Sequence, residues 1–362
     1  MRSLRITAGV LILGLITAAC GGGGTVTPAA TTAAPASSAT AAAASPAAPK
    51  AAVCPAQSVK IAVPVTPPNV VHLPPYVAKE LGYFKDENLT VELVRFEGGV
   101  GALRAMVAGG VDLAGTSTEP VLQAISQGVD VKIVGSYSPN ISNVFAVRDI
   151  IKTPADLKGK NIGIQEPGGF ADALSRAYLK KNNIDPKDVN FVTTTTAARV
   201  QQMVAGAVDT GILHVDQILN IQKTTPSIKV LANMWEVLPE YQYAVYAMPA
   251  SKAKSDLAEC LMRALTKASR AMYDPALREQ ILTLAVKETK GDRAIVEQAY
   301  KQLEAAKAWP QNEGVPQKNI DGTIAIQLDS KQITKALTFA EVTDLSAVTK
   351  VVNQLGRKDF PY

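Results

Sequence analysis

Seven residues recur in this chain almost unchanged: MVAGGVD at 106–112 returns as MVAGAVD at 203–209. In both copies a predicted helix ends at small residues, an Asp follows the turn, and a short predicted strand begins. A chance match between two alanine-rich helix ends would also explain one heptapeptide. The elements flanking the two copies nevertheless follow one another in the same order, which favours a fold of two similarly built halves.

Strand-like and helix-like segments alternate along most of the chain. Short apolar runs predict strands at 59–65, 90–96 and 161–165, and a longer amphipathic run predicts a helix at 171–182. This alternation is typical of an α/β fold with mixed sheets flanked by helices, not of a sandwich or a bundle. From residue 255 onward the pattern is mostly helical, and we expect this tail to pack on one of the halves.

The segment 1–19 has the order of a secretory signal peptide. Two arginines precede an apolar run at 6–16 that is too short to span a bilayer, and small residues lead directly to Cys20. This junction resembles the lipobox of bacterial lipoproteins, in which the Cys is acylated and becomes the first residue of the mature chain. An ordinary signal peptide with an incidental Cys is the alternative. We expect an acylated Cys20 that anchors the protein to the lipid bilayer outside the cytoplasm.

Residues 20–53 contain almost nothing except Gly, Ala, Ser, Thr, Pro and Val after the Cys. Without large apolar side chains such a segment cannot form a core, so we expect a disordered tether. The remaining residues, 54–362, are numerous enough for two lobes of ordinary size.

Composition argues against several classes of function. The net charge of +5 comes from scattered lysines and arginines without interleaved aromatic residues, so nucleic-acid binding is not expected. His72 and His214 are the two histidines of the chain, and no metal-ligand spacing is present. Cys54 and Cys260 are the thiols left in the globular part; in an oxidising compartment they predict a disulfide, with two separate buried cysteines as the alternative.

Four segments together carry a family resemblance: HLPPYVAKELGYFKDENLTVE (72–92), MVAGGVDLAG (106–115), QGVDVKIVGS (127–136) and TPADLKGKNIGI (153–164). Their order and spacing resemble the type II periplasmic-binding-protein fold of ABC-transporter substrate-binding proteins. The most similar branch binds sulfonates, taurine, nitrate or thiamine-pyrimidine precursors. The likeness extends over most of the chain up to about residue 250.

The resemblance implies two lobes with the ligand in the cleft between them. Lobe 1 would hold residues 54–146 and 246–362, and lobe 2 residues 147–245. The protein would bind a small-molecule solute as a monomer and deliver it to an ABC permease, with no cofactor. An enzyme on the same scaffold, similar to a pyrimidine synthase, is an alternative, but no GxSxG, HExxH or Cys/His pairing supplies its chemistry.

Ligands of α/β sheets bind beyond the carboxyl ends of strands, so the loops there supply the candidate ligand-binding residues. In pyrimidine-binding relatives a His stands four residues before a Tyr, as His72 stands before Tyr76, although a structural role for His72 is equally open. Helix capping is likewise an alternative role for the hydroxyl and carboxylate side chains at 117–119. The candidates are Asn69, His72, Gly98, Gly99, Ser117, Thr118, Glu119, Gly168, Gly169, Phe170, His214 and Asp216.

The chemistry of these loops favours an amine-bearing or heteroaromatic solute over a small oxyanion. No Arg or Lys stands there to hold an anion, whereas Glu97, Glu119, Glu166 and Asp216 could accept hydrogen bonds from amino groups. Sulfonate-binding relatives carry Gly-Ser where this chain has Gly168-Gly169. Aromatic side chains could stack on a ring, or belong to the lobe cores; these are Phe170, Tyr137 and Trp235. A sulfonate, taurine or nitrate ligand is the alternative.

Overall fold

The computed structural model describes residues 54–362. The predicted signal peptide, the predicted acylation site Cys20 and the predicted tether lie outside the described residues. Among the helices that are described, none combines the length and the apolar character needed to cross a membrane.

Ten strands and thirteen α-helices make up the described part of the chain. The strands are β1 (Gln57–Val63), β2 (Leu89–Arg95), β3 (Leu113–Ser117), β4 (Val131–Ser138), β5 (Val144–Val147), β6 (Asn161–Ile164), β7 (Asn190–Thr193), β8 (Thr210–Leu213), β9 (Lys229–Asn233) and β10 (Ala244–Pro249). The helices are α1 (Pro74–Glu80), α2 (Gly99–Val107), α3 (Thr118–Ser126), α4 (Phe170–Lys181), α5 (Thr196–Ala205), α6 (Val215–Thr224), α7 (Met234–Val237), α8 (Asp256–Ala271), α9 (Arg278–Thr289), α10 (Arg293–Ala305), α11 (Gln317–Asp329), α12 (Phe339–Val342) and α13 (Ser346–Leu355).

Two five-stranded mixed sheets share one topology. The first has the order β2-β1-β3-β10-β4 and the second the order β7-β6-β8-β5-β9. In each sheet the first three strands are parallel, and the fourth runs antiparallel to both of its neighbours. That antiparallel strand is β10 in the first sheet and β5 in the second. Each of them is the first strand after the chain has passed over from the other sheet. The predicted α/β fold with mixed sheets is therefore confirmed.

The repeated heptapeptide has the same structural role in both halves. Its first copy ends α2 and leads into β3, and its second copy ends α5 and leads into β8. The carboxylate of Asp112 accepts the backbone N–H of Lys60 at 3.0 Å, and that of Asp209 accepts the N–H of Asn161 at 3.0 Å. Lys60 and Asn161 occupy matching strands, β1 and β6. In both halves this Asp, directly before β3 or β8, therefore joins that strand to its parallel neighbour, β1 or β6.

The chain passes between the sheets twice, through residues 139–143 between β4 and β5 and through residues 238–243 between α7 and β10; we call these two segments the crossovers. The predicted lobe limits near 146 and 246 lie inside β5 and β10, which belong to the second and first sheet respectively. The lobe limits themselves stay a prediction. The helical tail packs on the first sheet, with α8 against α1 and α13.

A disulfide joins Cys54, just before β1, to Cys260 in α8, with the two Cα atoms 6.4 Å apart. Both cysteines are buried. The bond ties the start of the described chain to the helical tail.

Candidate functional site

A small cavity lies among the loops that follow β1, β2, β6 and β8, the ends of β3 and β4, and the residue directly before β10. Its volume is about 30 Å³, enough for one or two water molecules and far below the size of a typical ligand pocket. Loops from both sheets line it, and in this arrangement of the two halves its volume leaves no room for a molecule of ligand size. Its lining residues are Pro64, Val65, His72, Gly98, Gly99, Ser117, Tyr137, Gln165, Glu166, Gly169, Phe170, His214 and Tyr243.

Five of the lining residues carry aromatic or imidazole rings that lie next to one another: His72, Tyr137, Phe170, His214 and Tyr243. The ring centres of His72 and His214 are 5.2 Å apart in an edge-on arrangement, and those of Phe170 and Tyr243 are 4.3 Å apart. Tyr137 lies 5.7 Å from His72. Rings at such spacings leave faces and edges that a further planar ring can join.

Both imidazoles are neutral at pH 7. Burial lowers the pKa of His72 to about 3, and burial together with the nearby His72 and Arg199 holds the pKa of His214 well below its usual value. The amide nitrogen of Asn143 lies 3.0 Å from His214 Nδ1. Because that amide can only donate, Nδ1 accepts, and the His214 proton is on Nε2.

The Tyr243 hydroxyl and His72 Nε2 are 3.2 Å apart, which fixes the orientation of the His72 ring. His72 Nδ1 has no protein partner in the described structure. A buried ring nitrogen without a partner costs free energy, so it is a natural contact for a polar group of a ligand.

One carboxylate reaches the cavity, that of Glu166 in the loop after β6. Its Oε1 accepts the backbone N–H of Val100 at 2.8 Å, at the N-terminus of α2. Burial raises the pKa of Glu166, while the N–H groups of Val100 and Gly101 act in the opposite direction. A Cβ at position 98 would lie 2.1 Å from Glu166 Oε1, so a larger residue there would push this carboxylate away from its hydrogen bond with Val100.

Seven of the predicted ligand-binding residues line this cavity: His72, Gly98, Gly99, Ser117, Gly169, Phe170 and His214. Of the aromatic residues considered from the sequence, Tyr137 also lines it, whereas Trp235 lies elsewhere on the surface with 41% of its area exposed. Loops at the strand ends of both sheets thus lie around one cavity.

Five predicted residues lie outside the cavity lining, and several of these join the two halves. Asn69 Nδ2 donates to Asp216 Oδ2 at 2.9 Å, and burial raises the pKa of Asp216 to about 6. Gln123 Nε2 in α3 donates to the carbonyl of Gly168 at 3.0 Å.

The other two residues of this set, Thr118 and Glu119, point into the first half. Thr118 donates to the carbonyl of Tyr243 at 3.2 Å. Glu119 is fully buried, accepts a hydrogen bond from the Tyr241 hydroxyl, and has its pKa raised by burial to about 7.

Sequence reasoning missed Pro64, Val65, Gln165 and Tyr243 as lining residues. Three of these could have been predicted from their positions directly after β1 and β6: Pro64, Val65 and Gln165. Tyr243 could not have been predicted in this way, because it reaches the cavity only where the chain returns to the first sheet. Within residues 54–362, no three His, Cys, Asp or Glu side chains are grouped to hold a metal ion.

A family model described as NMT1/THI5 like matches residues 69–276. The chain belongs to this family. It is 22% identical over 308 residues to YtlA of Bacillus subtilis (strain 168), a provisionally named binding protein, covering 82% of this chain and 90% of YtlA. It is 32% identical over 179 residues to the riboflavin-binding protein RibY of Chloroflexus aurantiacus, covering 45% of this chain and 49% of RibY.

The fold is also similar to that of the alkanesulfonate-binding protein SsuA of Xanthomonas axonopodis pv. citri, solved bound to MOPS. The TM-score is 0.67 at 19% sequence identity, over 81% of this chain and 100% of that structure. The two-sheet architecture with a cleft between the halves is therefore that of the periplasmic binding proteins.

Proposed function

We propose that this protein is the solute-binding component of an ABC importer and delivers a small molecule to a permease in the membrane. Membership of the NMT1/THI5-like family and a fold similar to that of SsuA support this role. A cavity closed by two halves suits reversible binding, because hinge motion can open it to admit a solute and close it again. We infer that the protein works outside the cytoplasm, anchored through acylated Cys20, and as a monomer.

The solute we propose is a planar heteroaromatic molecule that carries an amino group. The observation that carries this choice is the cluster of rings, with two neutral imidazoles, that lines the same cavity as Glu166. His72 and His214 offer uncharged hydrogen-bonding nitrogens beside Phe170 and Tyr243. Glu166 would accept hydrogen bonds from the amino group. The name of RibY, a relative that binds riboflavin, fits the same class of ring.

A sulfonate, taurine or nitrate ligand is the second candidate, supported by the fold likeness to SsuA. The Glu166 carboxylate argues against it. An anionic ligand would meet a like charge at the N-terminus of α2. The N-termini of α3, α4 and α6, whose N-cap residues Ser117, Gly169 and His214 also line the cavity, are the backbone features that favour this second candidate.

Catalysis by an enzyme similar to a pyrimidine synthase is a further alternative, and we propose binding without chemistry instead. The cavity holds no nucleophile–base pair; its imidazoles are neutral and partnered with an amide and a phenol.

Calorimetric titration of the purified protein tests the solute class. We expect an aminopyrimidine or riboflavin to bind one-to-one and more tightly than taurine, an alkanesulfonate or nitrate. Phe170→Leu, which removes a cavity ring, should weaken that binding, while Phe191→Leu, which changes a ring packed on Arg176 outside the cavity, should not.

Tight sulfonate binding unaffected by Phe170→Leu would contradict the solute class and leave the receptor role. Chemical conversion of the heterocycle during incubation, followed by mass spectrometry, would contradict the receptor role itself.

A further inference from the structure

A second and much larger cavity lies beside the two crossovers. Its volume is about 530 Å³, and it shares no lining residue with the cavity between the strand ends. Ile141 and Leu238 line it from the two crossover segments, Trp235 from α7, and Ala306 and Asn319 from the helical tail. We call this space the crossover cavity.

The size and the apolar walls of the crossover cavity suit a small organic molecule. Ligand pockets commonly have volumes of roughly 300–1,000 Å³ and mostly apolar linings with a few polar groups. Trp235 leaves 41% of its surface exposed, an unusual state for so large an apolar side chain. An indole exposed at the edge of an apolar cavity provides a stacking face for an aromatic ring.

Two polar side chains of the lining, those of Lys318 and Asn319, indicate which polar groups a ligand of this cavity would carry. Among the residues lining this cavity, Lys318 is the only one with a charged side chain, and it is exposed. In the described structure no acidic side chain lies within salt-bridge distance of Lys318. Asn319 is 1% exposed; its Nδ2 donates to Asn140 Oδ1 at 3.1 Å, but its Oδ1 has no partner among the described residues. A buried acceptor without a donor favours a ligand N–H or O–H group.

We propose that the crossover cavity is a second binding site, for an aromatic anion that also carries a hydrogen-bond donor. The ring would lie against Trp235 and Leu238, the anionic group near Lys318, and the donor near Asn319. This site does not depend on the identity of the solute in the other cavity. Because residues of both crossovers line it, its occupant touches the segments about which the two halves would move.

The probe 8-anilinonaphthalene-sulfonate has all three features: aromatic rings, a sulfonate and an N–H group. Its fluorescence can be titrated against the purified protein and four variants. Ala305 and Ala306 are both exposed, but only Ala306 lines the cavity. Ala306→Phe therefore adds a ring to the cavity lining, and Ala305→Phe, its matched control, adds the same ring outside it. Lys318→Glu reverses the charge at the cavity, and Lys287→Glu reverses an exposed charge elsewhere.

We expect Ala306→Phe and Lys318→Glu each to weaken probe binding by about tenfold, the size of one lost ring contact or charge-assisted contact. Ala305→Phe and Lys287→Glu should bind as the original protein does. Absence of probe binding to the original protein, or equal binding by all variants, would overturn the proposal. If Ala306→Phe fails to fold by circular dichroism, the comparison of the two exposed lysine variants still decides.

Discussion

Glu166 Oε1 accepts the backbone N–H of Val100 at 2.8 Å, across the cleft between the two halves. Val100 lies in the first turn of α2, where the free N–H groups and the helix dipole attract anions. In this protein a carboxylate of the chain itself meets those groups. At this helix end an anionic group would have to displace Glu166, whereas an amino group would gain a carboxylate acceptor.

Glu166→Gln should therefore change which ligands bind. We expect the affinity for an aminopyrimidine to fall by about tenfold, the typical size of one lost hydrogen bond to a charged group. The affinity for taurine or an alkanesulfonate should rise, because the like charge is gone. Titration calorimetry with both ligand classes measures the two effects. Glu97→Gln, at an exposed carboxylate one residue from Gly98, is the matched control, and an equal response of both variants would contradict the role of Glu166.

Glu119 should affect stability rather than binding. Burial raises the pKa of Glu119 from 4.5 to about 7, so the folded state favours the protonated carboxyl. The corresponding stabilisation is fully present below about pH 4.5 and is lost as the pH rises through about 7; its size is about 3 kcal/mol.

Glu119→Gln keeps a neutral side chain at every pH. We expect this variant to match the original protein near pH 4.5 and to have a higher free energy of unfolding at pH 8, measured by urea denaturation. Equal pH profiles of the two proteins would show that Glu119 titrates normally. Glu97→Gln should leave the pH profile unchanged, because that carboxylate is exposed.

The sequence predicts the fold through features that act locally. Strand and helix periods define the α/β alternation, and the recurrence of MVAGGVD predicts matching halves because its Asp makes the same strand-joining hydrogen bond twice. The loops at strand ends were also predictable, since parallel strands direct their carboxyl ends to one edge.

The direction in which individual side chains point within those loops depends on packing over long sequence separations. Glu119 and Ser117 stand two residues apart, yet Ser117 faces the cavity and Glu119 the interior, because Tyr241 offers Glu119 its hydroxyl. Tyr243 reaches the cavity only because β10 pairs with β3. Both contacts join residues far apart in the sequence, so the residues around either position do not predict them.

Removing the disulfide between Cys54 and Cys260 should lower stability substantially. The bond links residues 206 apart in sequence, and closing so long a loop in the unfolded chain corresponds to about 5 kcal/mol in the chain-entropy model. We expect the variant with both Cys54→Ala and Cys260→Ala to unfold at lower urea concentration than the original protein. Reductant should destabilise the original protein and leave the double variant unchanged. Two free thiols in the unfolded, unreduced mature protein would contradict the bond.

Anchoring through Cys20 remains a prediction about residues outside the described structure. Cys20→Ala should move the protein from the membrane to the soluble fraction, because the acyl chains supply the membrane affinity. Thr27→Ala, at a nearby position in the predicted tether, should leave it in the membrane fraction. Cell fractionation with an antibody separates the two outcomes, and a Cys20→Ala protein that stays with the membrane would refute acylation at this residue.

The hydrogen bond between Asn69 and Asp216 joins the two halves beside the cavity, with 2.9 Å between Nδ2 and Oδ2. Neither residue lines the cavity, so this bond should influence ligand binding through closure of the two halves. Asp216→Ala removes it and favours the open arrangement. We expect ligand affinity to fall by about five- to tenfold, the effect of one lost hydrogen bond, mainly through faster dissociation.

A larger radius of gyration in solution scattering should accompany the weaker binding of Asp216→Ala. Asn220→Ala, one helical turn further along α6 at an exposed position, is the matched control and should change neither quantity. If Asp216→Ala weakens binding without any change in the radius of gyration, Asp216 acts on the ligand directly and not through closure. If it changes neither, the hydrogen bond to Asn69 contributes nothing to closure in solution.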